Sequence, residues 1–113
     1  MKEIVFIFSL FILTMLVSCG KDPVEPNNNC ATPKSYAADV SPIIQSSCAI
    51  NTGCHATGST NGPGPLTIYA EVFNAITSIR TAVANGTMPK NSSLTNDQKN
   101  AIICWIDNGA PNN

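Results

Sequence analysis

The sequence has little charge, few aromatic residues and a single histidine. Charged residues make up 12% and aromatic residues 6% of its 113 positions, and the formal net charge is −1. Nucleic-acid binding needs clustered Lys and Arg, which are missing here, so we expect no nucleic-acid partner. One histidine argues against copper electron-transfer sites, which usually use two. It also argues against a hydrolase, because no second histidine is present to act as a base beside Cys54 and His55.

The sequence also lacks an apolar run long enough to span a bilayer. Its longest run, Ile4 to Val17, is apolar at all but two positions and follows the positive charge of Lys2. A span needs about 20 residues, so this shorter run is typical of a cleavable signal peptide. It ends at Leu16-Val17-Ser18-Cys19, which resembles the bacterial lipobox. We therefore expect residues 1–18 to be a signal peptide and Cys19 to carry a lipid that anchors the mature protein to the membrane.

The residues after Cys19 predict a tether and one folded domain. An aspartate directly after the lipidated cysteine would favour retention at the inner membrane. This chain has Gly20 at that position, which favours an outer-membrane lipoprotein on the periplasmic side or at the cell surface. Residues 19–29 are rich in Pro and Asn and have nothing to bury, so we expect a flexible N-terminus. Residues 30–113 then form a domain small enough to need a staple or a cofactor besides its apolar core.

Helical signals dominate that domain, so we predict an all-α fold with three helices. The serine and proline at 41–42 predict an N-cap and first helical position, and apolar residues spaced three and four apart predict a long helix over 68–85. A capping box at 95–98 starts the last helix. Long irregular loops are expected at 49–66 and 87–94.

The only histidine directly follows a cysteine, in the segment Cys48-Ala49-Ile50-Asn51-Thr52-Gly53-Cys54-His55. In c-type cytochromes two thiols bind the haem vinyl groups and the next histidine ligates the iron, with the usual spacing C-x-x-C-H. Here five residues separate the cysteines, so residues 51–53 must loop out, and Asn and Gly tolerate the positive φ that we expect there. On the motif alone, a small disulfide loop with an exposed His55 explains the pattern equally well.

The order of features from Tyr36 to Ala110 resembles a small single-haem cytochrome c domain. The segments that carry this resemblance are Tyr36 to Ile44 before the motif, Gly62-Pro63-Gly64-Pro65-Leu66 after it, Thr87-Met88-Pro89, Leu94 to Gln98, and Ile103 to Ala110. The resemblance implies a cytochrome c-like three-helix domain around one covalent haem c, attached through Cys48 and Cys54.

The resemblance also implies roles for three further residues. His55 would be the proximal iron ligand, and the carbonyl of Pro63 would accept the proton of its ring. Met88 would be the distal ligand. It is the only methionine after the signal peptide, although an isolated methionine is usually a core filler. Both axial positions would then be filled by protein, which predicts an electron carrier for other redox proteins rather than an enzyme, with no small-molecule substrate.

Two cysteines remain, Cys30 and Cys104. If Cys48 and Cys54 hold haem, these two are free to pair, and their disulfide would join the start of the domain to its end. Four cysteines allow three pairings, so this one stays a hypothesis. The alternative function is a haem-free extracytoplasmic binding or structural domain in which all four cysteines form two disulfides.

Overall fold

The computed structural model describes residues 29–113. The predicted signal peptide, the lipid site at Cys19 and most of the tether lie outside these residues. The described part is all-α as predicted, with no strand. It contains a π-helical turn, Tyr36–Val40, and four α-helices, which are α1 (Ser41–Ser47), α2 (Tyr69–Asn74), α3 (Ile76–Asn85) and α4 (Asn96–Asp107). None of the helices within 29–113 is long and apolar enough to cross a membrane.

The π turn replaces the predicted start of the first helix. The Ser35 hydroxyl accepts a hydrogen bond from the Ala38 amide at 3.2 Å, and the Ser35 amide donates to the Asp39 carboxylate at 2.7 Å. The turn runs directly into α1, so Val40 is the N-cap and Ser41 already has helical dihedral angles. The prediction that Ser41 is the N-cap is therefore wrong. Pro42 still lies in the first turn, where its missing N–H costs nothing.

The predicted long middle helix is divided at Ala75. This residue has φ −107° and ψ 6°, and its amide donates to the Val72 carbonyl at 3.1 Å, which closes a tighter turn. Neither Gly nor Pro stands at the break. Gly86 ends α3 in the left-handed region, with φ 69°, as its position predicts.

The start of the last helix is confirmed. The Thr95 hydroxyl accepts from the Gln98 amide at 3.2 Å, and the Gln98 side chain accepts from the Thr95 amide at 2.9 Å, so the two residues form the predicted capping box. Helix α4 packs against the π turn and α3. Its buried face and the facing elements form one core, whose largest fully buried members are Val40, Ile44, Val72, Ile102, Ile103 and Trp105.

The predicted disulfide between Cys30 and Cys104 is present. The two Cα atoms lie 5.1 Å apart, and the bond joins residues 74 positions apart in the sequence. Cys104 is buried in α4, whereas Cys30 precedes the first helical turn. The bond therefore links the beginning of the described chain to its last helix. The main chain reinforces this link, because the Ala37 amide donates to the carbonyl of Asn113 at 2.8 Å.

Candidate functional site

Cys48 follows α1 directly and is held by the end of that helix. Its amide donates to the Ile44 carbonyl at 2.8 Å. Burial raises the pKa of the Cys48 thiol above its ordinary value, and the neighbouring Cys54 thiol adds to the rise. Both residues are half-buried, and both thiols are free in the structure. The cysteine pair is therefore not closed into the small disulfide loop that the motif alone allowed.

The seven-residue loop from Cys48 to Cys54 is closed by hydrogen bonds. The Cys54 amide donates both to the Asn51 carbonyl at 3.0 Å and to Oδ1 of the Asn51 side chain at 3.1 Å. The His55 amide donates to the Cys48 carbonyl at 3.0 Å, which joins the two ends of the loop. The expectation of positive φ at residues 51–53 is wrong, because no residue of this loop has it. Hydrogen bonds around Asn51 turn the chain instead.

The His55 ring is buried and has a defined orientation. Only 7% of the residue is exposed, and Nδ1 lies 2.8 Å from the carbonyl oxygen of Gly64. A carbonyl only accepts, so Nδ1 must carry the proton and Nε2 of the neutral ring keeps its lone pair. The ring makes no other hydrogen bond within residues 29–113.

The partner of the ring corrects one prediction. The accepting carbonyl belongs to Gly64, not to Pro63, and Pro63 instead lines a cavity beside the ring. Gly64 has φ +98°, a conformation that favours glycine, and this conformation sets the direction of its carbonyl. The main chain around this contact is also paired, because the Leu66 amide donates to the His55 carbonyl at 2.8 Å.

Met88 reaches the same region from the loop after α3. The amides of Thr87 and Met88 both donate to the Ala82 carbonyl, at 3.0 and 3.3 Å, so the end of the helix fixes the start of the loop. Met88 is half-buried and lies outside the core cluster. Met88 therefore does not fill the core, as an isolated methionine usually does.

Two cavities share Cys48, His55, Gly62 and Met88 in their walls, and together they form one cleft. One cavity, of about 100 Å3, is called the inner cavity because buried core residues line it. Its apolar wall includes Ile44, Leu66, Ile79 and Val83. The other cavity, of about 370 Å3, is called the outer cavity because exposed residues line it. Its wall is more polar, and it is formed in part by Cys54, Asn61, Lys90 and Asn91. All four residues predicted to bind or ligate a haem therefore line this cleft.

Within the described residues, no three His, Cys, Asp or Glu side chains lie close enough together to hold a metal ion by themselves. The sequence reasoning missed Asn51, Asn61 and Gly64, which position the predicted residues. The only sequence signal for their roles is that Asn and Gly residues lie close to the candidate cysteines and histidine along the chain. Family models, curated proteins and solved structures yield no match to this chain.

Proposed function

We propose that this protein is an electron-transfer c-type cytochrome with one covalently bound haem, ligated by His55 and Met88. One observation carries the proposal. Two cysteines, the only histidine and the only methionine of the described chain line a single cleft, although Met88 is far from the other three in sequence.

Apolar and polar residues are arranged along the cleft in the way that a haem requires. A haem has an apolar macrocycle and two carboxylates, and the cleft has an apolar inner wall and a more polar outer part. The outer cavity alone is within the size range of cofactor sites, about 300–1,000 Å3. Polar side chains that line the outer cavity, among them Lys90 and Asn91, can face the carboxylates of a haem.

The donor atoms fit the iron of such a group. His55 has its Nδ1 proton directed at Gly64, which leaves the Nε2 lone pair for a metal and raises the basicity of the ring. Met88 supplies a thioether, the sulfur ligand found opposite histidine in cytochromes c. Cys48 and Cys54, as free thiols, would hold the macrocycle covalently.

When bound, the haem supplies one-electron chemistry between ferric and ferrous iron. The residues of the chain would fill both axial positions, so no position is left for a substrate, and the protein would be a carrier rather than an enzyme. Methionine opposite histidine raises the reduction potential. The apolar wall formed by Ile44, Leu66, Ile79 and Val83 would exclude water from the iron.

The cytochrome c-like architecture and the membrane setting belong to the same proposal. Helix α4 contacts the π turn that leads into α1, and this contact between the first and last helical elements supports the cytochrome c-like architecture. Cys19 would carry the lipid that anchors the protein at the bacterial outer membrane, on its periplasmic or outer side. Redox proteins of the same compartment would be its partners.

The haem-free alternative requires two disulfides. One of them, Cys30–Cys104, is present, whereas Cys48 and Cys54 remain free thiols, as a haem site requires. The test is to express the full chain with a cytochrome c maturation system and to record oxidised and reduced absorbance spectra. We expect a low-spin spectrum from the folded wild type. Haem absorbance should remain with the denatured wild-type chain but not with a denatured Cys48→Ala, Cys54→Ala double variant. A wild-type chain without haem would refute the proposal.

A further inference from the structure

Three residues more than usual separate the two cysteines, yet the structure closes this loop compactly. The amide of Cys54 has two acceptors on Asn51, one on the main chain and one on the side chain. The Asn51 carbonyl also accepts from the Ala56 amide at 3.0 Å. The side chain fits closely, since a Cβ added to Gly53 would lie 3.1 Å from Oδ1 of Asn51.

A second asparagine holds the same loop from the other side. Nδ2 of Asn61 donates to the Gly53 carbonyl at 2.7 Å. The main chain of Asn61 belongs to the segment that carries the His55 partner, because its carbonyl accepts a hydrogen bond from the Gly64 amide. Asn61 therefore connects the loop between the cysteines to the carbonyl that orients the histidine ring. It also lines the outer cavity.

We propose that Asn51 and Asn61 are positioning residues that hold the widened Cys48–Cys54 loop so that both thiols reach one haem. This inference rests on the proposed function. In the step that they would assist, each thiol adds across a vinyl double bond. A sulfur–carbon bond forms, the S–H bond breaks and its hydrogen moves to the other vinyl carbon, so the addition needs no oxidant and has no leaving group.

The two asparagines act through opposite hydrogen-bonding groups, which gives a sharp test. Asn51 uses its side-chain oxygen as an acceptor, and aspartate retains such an oxygen. Asn61 uses its side-chain nitrogen as a donor, and aspartate would place an oxygen against the Gly53 carbonyl. Asn51→Asp should therefore preserve the loop, whereas Asn61→Asp should disrupt it at least as much as Asn61→Ala.

The experiment compares full-length chains matured with haem, and mass spectrometry counts the thioether bonds after denaturation and alkylation. We expect wild type and Asn51→Asp to be attached at both cysteines. In Asn51→Ala, Asn61→Ala and Asn61→Asp, the ratio of doubly to singly attached protein should fall about fivefold, the factor that corresponds to one hydrogen bond. Thr52→Ala is the control, because Thr52 is exposed and has no hydrogen bond to another described residue.

Each outcome bears on the inference. A wild-type chain without covalent haem would overturn the proposed function and this inference together. Complete double attachment in all variants would overturn the inference alone, and so would equal losses in Asn51→Asp and Asn51→Ala. Circular dichroism and the state of the Cys30–Cys104 disulfide show whether each variant is folded. The reduction potential of the doubly attached fraction should match wild type, because the axial ligands are unchanged.

Discussion

Nδ1 of His55, a residue that lines the cleft, lies 2.8 Å from the carbonyl oxygen of Gly64. This contact fixes the tautomer of the ring and leaves the lone pair of Nε2 available to a metal. The acceptor is a main-chain group on a residue with φ +98°, so its position depends on a conformation that other residues adopt at a cost.

The first prediction concerns Gly64→Ala. The added Cβ makes positive φ unfavourable by about 1–2 kcal/mol and should displace the carbonyl. A weaker hydrogen bond makes the imidazole less basic, which stabilises ferric iron less, so the reduction potential should rise. Gly58→Ala is the matched control, because Gly58 has φ +85° but no contact with the ring. Both variants should lose stability in thermal unfolding, and only Gly64→Ala should alter the potential. Equal potentials would contradict the role of this contact.

The second prediction concerns Met88. Met88→Ala should abolish the low-spin spectrum of the reduced protein and lower the potential by tenths of a volt, within the roughly 0.8 V range that axial ligands cover. Spectra and redox titration measure the two effects. Haem attachment should be unaffected, since both cysteines remain. An unchanged spectrum and potential would show that Met88 does not ligate the iron.

Helix α4 shows how well local signals predict this fold. Its start depends on Thr95 and Gln98, which are three residues apart and bond each other as the sequence predicts. The break at Ala75 has no such local signal, because alanine favours helices. Ala75 is buried in the core cluster, whose members come from every helix. The π turn depends partly on Asn113, at the far end of the chain, and was not predictable from its own five residues.

For the candidate site, the sequence predicts residues that the structure brings to one cleft, but it does not predict the atoms that position them. The sequence names Cys48, Cys54, His55 and Met88, and the structure brings all four to one cleft. The sequence pattern points to the carbonyl of Pro63, one residue before the true acceptor, because the choice between adjacent carbonyls depends on backbone dihedral angles that no motif specifies. The turn at Asn51 similarly depends on hydrogen bonds to residues on both sides of the loop.

The third prediction concerns the Cys30–Cys104 disulfide. In the chain-entropy model, a loop of this length stabilises the fold by about 4 kcal/mol. Cys30→Ala leaves Cys104 as a buried thiol. This substitution should reduce the free energy of unfolding by about that amount. Denaturant unfolding with and without a thiol reductant measures the effect. Reductant should destabilise wild type but not the variant, and an equal response of both proteins would contradict this account.

The fourth prediction concerns the ion pair between α3 and α4. Arg80 donates to both carboxylate oxygens of Asp107, at 2.7 and 2.9 Å, and this hydrogen bonding holds the pKa of the carboxyl below its ordinary value. Such a depressed pKa adds stability above the unfolded pKa of Asp, and this stability is lost as the pH falls through the folded pKa. Both side chains are more than a third exposed, so solvent limits the contribution to less than about 1 kcal/mol.

Unfolding of wild type and Asp107→Asn tests this ion pair. The variant should be slightly less stable at about pH 7, and the difference should shrink as the pH falls through the folded pKa of Asp107. High salt should also reduce the difference. A difference that stays constant across this pH range would show that charge does not stabilise the contact.

Covalent attachment of one haem through Cys48 and Cys54 can be read from the intact mass of the full-length protein, matured with haem, denatured and treated with an alkylating reagent. We expect a mass increase of one haem that survives denaturation, with Cys48 and Cys54 protected from alkylation and Cys30 and Cys104 protected until reduction. A haem-free mass, with Cys48 and Cys54 alkylated or joined in a second disulfide, would contradict it.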